Sequence, residues 1–141
     1  MRKSALAGLG IAALAFAPVA SADPTEGHDA KVNTQTPSML CEIGSDDATP
    51  GVGPNVICQG RFAQAPADAD QAYVTAAGQF TYREANIGVG YNHPPFETLI
   101  PGRTYHIQGW TVVAGGDGIR FTNEGTGHGM FVGSDSTVNH F

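Results

Sequence analysis

After residue 22, no stretch of the chain joins a helical period to capping residues over an adequate length. Folds built on helices are thereby closed off. What the sequence offers instead is short segments in which apolar and polar residues alternate, separated by Gly, Pro, Asn and Asp. Met39, Cys41 and Ile43 share one phase, and Val56, Cys58, Gly60 and Phe62 share another. Residues 73–75, 79–83, 104–113, 119–123, 130–133 and 138–141 have the same character, and 86–91 has it more weakly because Gly88 and Gly90 interrupt it. Of 19 Gly in the chain, 17 follow residue 22. That density suits tight turns and bulges, and with no triplet repeat it excludes collagen. The expected fold is all-β: a small β-sandwich or barrel of about seven to nine short antiparallel strands over residues 38–141.

Particular turns follow from the same residues. Pro50-Gly-Val-Gly-Pro-Asn55 has no strand character, so 44–55 is a long turn. Residues 63–72 are a surface connection. Asn92-His93-Pro94-Pro95 cannot continue a ladder, because Pro lacks the N–H. Gly115-Gly116-Asp117-Gly118 joins the arms of the clearest hairpin. Within its first arm, strict alternation separates Trp110 from Tyr105 and Ile107. A bulge at Gly109 is therefore expected, returning Trp110 and Val112 to the face of Tyr105.

The N-terminus has the three parts of an export signal in order. Arg2 and Lys3 supply positive charge, residues 4–16 are apolar apart from one Ser, and Ala20-Ser21-Ala22 supplies the small residues a signal peptidase recognises. Residues 1–22 are expected to be a cleaved signal peptide. The apolar run is shorter than the roughly 20 residues a bilayer requires. Residues 23–37 are polar and are expected to form a flexible lead into the domain.

Cleavage would leave five basic residues against 13 acidic ones. An acidic surface makes nucleic acid an improbable partner and disfavours anionic lipid headgroups. Cys41 and Cys58 are the only cysteines. In an oxidising compartment their expected state is one disulfide, closing a hairpin across two facing strands.

Cys41-Glu-Ile-Gly, Val56-Ile-Cys58-Gln, Phe62-Ala-Gln-Ala-Pro66, Gly109-Trp-Thr-Val112, Arg120-Phe-Thr-Asn123 and Thr126-Gly-His-Gly-Met130 together resemble a group of small exported proteins from mycobacteria and related actinobacteria. The resemblance runs from about Met39 to Phe141. It implies a secreted single-domain protein and carries over no catalytic residue.

Three places could hold chemistry. In Thr126-Gly-His-Gly-Met130, His128 stands unhindered between glycines, and His and Met are both copper ligands. His128 and Met130, with help from His28, His93, His106 or His140, form a candidate extracellular metal site. For a small hydrolase, Glu84, Glu97, Asp117 or Glu124 could pair with a His. Ser134 and Ser136 lack a nucleophile-elbow context. Trp110 and Tyr105, if exposed together, would form a ligand-contact face. The leading expectation is a secreted, non-catalytic, monomeric protein that binds a protein or envelope ligand at the cell envelope or outside the cell, with no cofactor. Metal binding and hydrolysis are the alternatives.

Overall fold

A computed structural model describes residues 20–21, 30–34, 39–45, 53–85, 87 and 96–141. Twelve strands form among them: β1 (Ala20–Ser21), β2 (Ala30–Thr34), β3 (Leu40–Gly44), β4 (Asn55–Gln59), β5 (Gln71–Thr75), β6 (Phe80–Arg83), β7 (Glu97–Leu99), β8 (Thr104–Ile107), β9 (Trp110–Ala114), β10 (Gly118–Asn123), β11 (Gly129–Gly133) and β12 (Val138–His140). They make two six-stranded sheets, ordered β1-β8-β9-β10-β11-β12 and β6-β5-β4-β3-β2-β7. Each sheet is a five-strand antiparallel meander, with one more strand running parallel along an edge. The fold is all-β and sandwich-like. No helix is formed among the described residues, and none there is long and apolar enough to cross a membrane.

Alternation explains which side chains meet. Val32, Cys41, Ile43, Val56, Cys58, Ala72 and Val74 project inward from one sheet. Ile107, Trp110, Val112, Ile119, Phe121, Met130 and Val132 project inward from the other. The two sets form one core, with Trp110, Phe121, Met130 and both Cys fully buried. At one side of the sandwich the Phe80 ring of β6 stacks on His140 of β12, with centroids 4.5 Å apart. At the other side, residues 100–103 carry the chain from β7 in one sheet to β8 in the next.

Cys41 and Cys58 face each other in the β3–β4 register and are joined as a disulfide, with Cα atoms 4.1 Å apart. The sequence expectation holds here in both pairing and placement.

Elsewhere the structure differs from expectation. Residues 104–113 are two strands rather than one. Gln108 and Gly109 both have positive φ, 51° and 79°, which makes a two-residue hairpin turn of the primed type instead of a bulge. Ile107 then lies directly opposite Trp110, and Tyr105 opposite Val112. The expected face is reached by reversing the chain. Ala30–Thr34 is strand β2, in the segment read as a flexible lead. Val32 is its one large inward apolar residue, so the alternation is diluted by Lys31, Asn33 and Thr34. Lys31 is nevertheless buried, its Nζ 3.7 Å from Glu42 and 5.6 Å from the Phe96 ring centroid. Ten of the twelve strands follow residue 38, against the seven to nine expected there, and two pairings are parallel, β2 with β7 and β1 with β8. The weak strand at 86–91 lies outside the described residues except for Ile87. That residue is buried and its N–H donates to Gln59 Oε1.

Candidate functional site

Three connections gather at one end of the sandwich, β7 to β8, β9 to β10 and β11 to β12, beside Thr34 at the end of β2 and Met39 before β3. Between the sheets at this end lies a cavity of about 200 Å³. Its apolar wall is Met39 and Leu99 from one sheet and Ala114, Ile119 and Val132 from the other. Leu99, Ala114, Ile119 and Val132 are themselves buried. Gly115, Gly116, Gly118 and Gly133 line it too, with Thr34, Pro101 and Ser134 completing the lining.

The glycines of its rim let two turns approach each other closely. Gly118 has a φ of 149°, and a Cβ there would strike the Val132 carbonyl oxygen and Phe131 Cζ. Only Gly fits there, because strand β11 and the Phe131 ring leave no room for a side chain. The Gly115 N–H donates to the Gly118 carbonyl at 2.8 Å, and the Ser134 N–H to the Asp117 carbonyl at 2.8 Å. The first closes the β9–β10 turn and the second ties that turn to the β11–β12 turn.

Among the described residues, no ionisable side chain lines the cavity. What it offers is a largely apolar volume with the hydroxyl residues Thr34 and Ser134 in its lining. An apolar cavity of about 150 Å³ is enough to take up a benzene ring. This one has room for an aryl group or a short alkyl chain.

The residues singled out from sequence fall elsewhere. Met130 is fully buried in the core, whereas His128 is exposed. The His128 ring packs where a side chain on residue 78 would sit, and its Nδ1 is 3.2 Å from the Phe141 carbonyl oxygen. Together with the Thr126 hydroxyl, which donates to the Ala76 carbonyl at 2.5 Å, it fastens the β10–β11 turn to the β5–β6 turn. The candidate metal pair is thus split between surface and core. His28 and His93 lie outside the described residues. Among the described residues, no group of three or more His, Cys, Asp or Glu is placed to hold a metal.

Trp110 and Tyr105 are core residues, 0% and 3% exposed. They form no exposed ligand face. The Tyr105 hydroxyl accepts the Ile100 N–H at 2.9 Å, which anchors the strand-to-strand connection beside the cavity.

One carboxylate–His pair does form. His106 Nδ1 lies 2.5 Å from Glu124 Oε1, and the Thr111 hydroxyl donates to the same oxygen at 3.0 Å. The trio sits on the outer face of its sheet, with His106 and Glu124 nearly half exposed. None of the three lines the end cavity. The hydrogen bonds from His106 and Thr111 hold the Glu124 carboxyl below its ordinary pKa. A carboxyl depressed in the folded state stabilises the fold above its unfolded pKa and loses that contribution as pH falls through the folded value. Glu124→Gln is therefore expected to cost less than about 1 kcal/mol near neutral pH, since the pair is exposed. The difference should vanish in acid. Urea titrations of both proteins across pH 7 to 3 check this, and a cost that persists at low pH would contradict it.

Sequence reasoning missed the cavity. Its signal was the gathering of Gly115, Gly116, Gly118 and Gly133 next to Ile119 and Val132. That gathering becomes spatial only once β9, β10 and β11 are paired. No family model matches the chain, and neither a curated protein nor a solved structure was found similar to it.

Proposed function

We propose that the chain is an exported, non-catalytic binding protein whose ligand places an apolar group in the end cavity. The observation that carries this reading is the largely apolar lining, with no ionisable side chain among the described residues, around a volume of about 200 Å³. A cavity so lined offers burial and shape and little else, which suits binding and not turnover. The export part rests on the N-terminal signal pattern and on the resemblance to small exported actinobacterial proteins. The buried Cys41–Cys58 disulfide agrees with an oxidising compartment. The released chain begins at Asp23, without the β1 pair that lies along β8. Intact-mass analysis of secreted protein checks this directly, and full-length protein with free thiols inside the cell would refute it.

The cavity is tested by titrating the mature protein with 1-octanol while recording methyl NMR spectra. Leu99, Ala114, Ile119 and Val132 methyls should shift together and saturate, with a Kd on the order of 0.1–1 mM. Ala114→Leu should abolish the response. Ala114 faces the void, so the added carbons should fill it without loss of stability, and a gain up to about 1 kcal/mol is expected. Absence of methyl shifts in the parent protein would overturn the cavity as a binding site.

A further inference from the structure

Besides the cavity, the fold holds a sheet edge that the released chain leaves open. What lies along β8 is β1: Ala20 is paired with Tyr105 and Ser21 with His106, in parallel register. Both β1 residues fall within the segment read as the export signal, so cleavage takes them away and β8 becomes an edge. The β12 edge at the far side of the same sheet is covered from within the released chain. There the Val138 N–H donates to Gln64 Oε1 at 3.1 Å and the Ala63 N–H to the Ser136 carbonyl at 2.9 Å.

The ladder fixes which groups β8 then presents. Ile107 and Trp110 flank the two-residue turn at Gln108-Gly109, so they exchange both of their hydrogen bonds, and Tyr105 and Val112 do the same two residues along. The N–H and C=O groups of Thr104 and His106 therefore point away from β9, toward the side that β1 occupies. Thr104 and His106 are exposed on the outer face, while Tyr105 and Ile107 face the core. An edge of Thr, Tyr, His and Ile, with no Lys, Pro or bulge of its own, takes up a further strand readily. On the outer face beside it, His106 and the Thr111 hydroxyl hold the Glu124 carboxylate.

We propose that the β8 edge docks one extended segment of a partner protein, which adds to the sheet parallel to β8 with a small residue opposite Tyr105 and a hydrogen-bond donor, best a cation, opposite His106. This rests on the removal of residues 1–22 proposed above. The chemistry of the occupant is taken from the chain itself, which seats Ala and Ser at those two register positions. Main-chain bonds to Thr104 and His106 supply most of the affinity, and the two side chains set the choice of partner. Glu124 favours a donor or a cation beside His106, since opposite charges attract across a ladder. The chain's formal net charge of −6 disfavours acidic segments.

The test uses secreted protein whose intact mass begins at Asp23. The probe is the peptide Ala-Pro-Val-Ala-Ser-Ala, residues 17–22 of this chain, added in trans at pH 7 and low salt. Backbone amide resonances of residues 104–107 should shift and saturate, with a Kd on the order of 1 mM. N-methylation of the peptide residue opposite Tyr105 should abolish binding, because it removes the bond to the Thr104 carbonyl. Lys in place of the peptide's Ser should tighten binding about threefold. Glu124→Gln should remove that gain and leave the Ser peptide unchanged. The full chain, in which β1 competes from the same molecule, should bind the peptide several-fold more weakly. Equal binding by the two chains, unchanged binding of the N-methylated peptide, or a Lys gain that survives Glu124→Gln would overturn the proposal. So would a concentration-dependent mass in sedimentation, which would make a second copy the occupant of the edge. A secreted chain that keeps residues 20–21 would overturn the export reading and this inference together. No binding by a chain that begins at Asp23 would overturn this inference alone.

Discussion

Trp110→Ala is expected to lower the stability of the protein by about 3–5 kcal/mol, a third or more of what a domain of this size usually has. Trp110 is 0% exposed and among the largest side chains that are fully buried. It enters the core from the first residue of β9, opposite Ile107. Truncation removes its buried area and leaves a void that neighbours on two sheets cannot close, since each is held by its own ladder. Trp110→Phe should cost much less. The indole Nε1 is buried without a hydrogen-bond partner, so replacing it by carbon removes an unsatisfied donor along with some packing. Urea unfolding followed by far-UV circular dichroism measures both, with the slope against urea unchanged if the fold is retained. A Trp110→Ala protein within about 1 kcal/mol of the parent would contradict the core placement. Because Trp110 is the only Trp, weak quenching of the parent's fluorescence by acrylamide checks the same burial independently.

How much of this was legible beforehand depends on how local each determinant is. The β3–β4 hairpin was readable because two alternating apolar segments each carry a Cys in phase, which sets strand, face and register together. The face of Trp110 was readable and its cause was not. Gly109 signalled an interruption, but a bulge and a two-residue turn both restore phase, and Gln108 adopts positive φ without the Asn or Asp that usually marks such a turn. Strand β2 was hidden because an edge-side strand in a sandwich needs little apolar surface of its own. Val32 suffices once β3 and β7 supply its neighbours. His128 and Met130 are separated for a related reason. Two residues apart in an extended chain share a face, but His128 precedes β11 and is turned out by its bond to the Phe141 carbonyl, while Met130 lies inside the strand. The cavity is a property of strands brought together from distant parts of the sequence, and no local pattern announces it.

Replacing both Cys41 and Cys58 by Ala is expected to destabilise the protein by about 3 kcal/mol at 25 °C. The two residues are 17 apart in sequence, and the bond closes that loop in the unfolded chain, where the intervening Gly- and Pro-rich turn would otherwise roam freely. In the chain-entropy account this restriction of the unfolded state supplies the whole figure. Loss of packing around two fully buried side chains adds to it. The same burial governs reduction. A thiol reagent must reach a sulfur, and both lie in the core between the sheets, so reduction requires the sandwich to open first. Under native conditions the bond should therefore persist in millimolar dithiothreitol for hours, and it should be lost within minutes once urea populates the unfolded state. Thiol labelling followed by intact-mass analysis distinguishes the two regimes. Rapid reduction of the folded protein would mean that the β3–β4 hairpin opens without the rest. In that case the disulfide would be holding a local flap and not the core, and the Ala pair should then cost well under the stated amount.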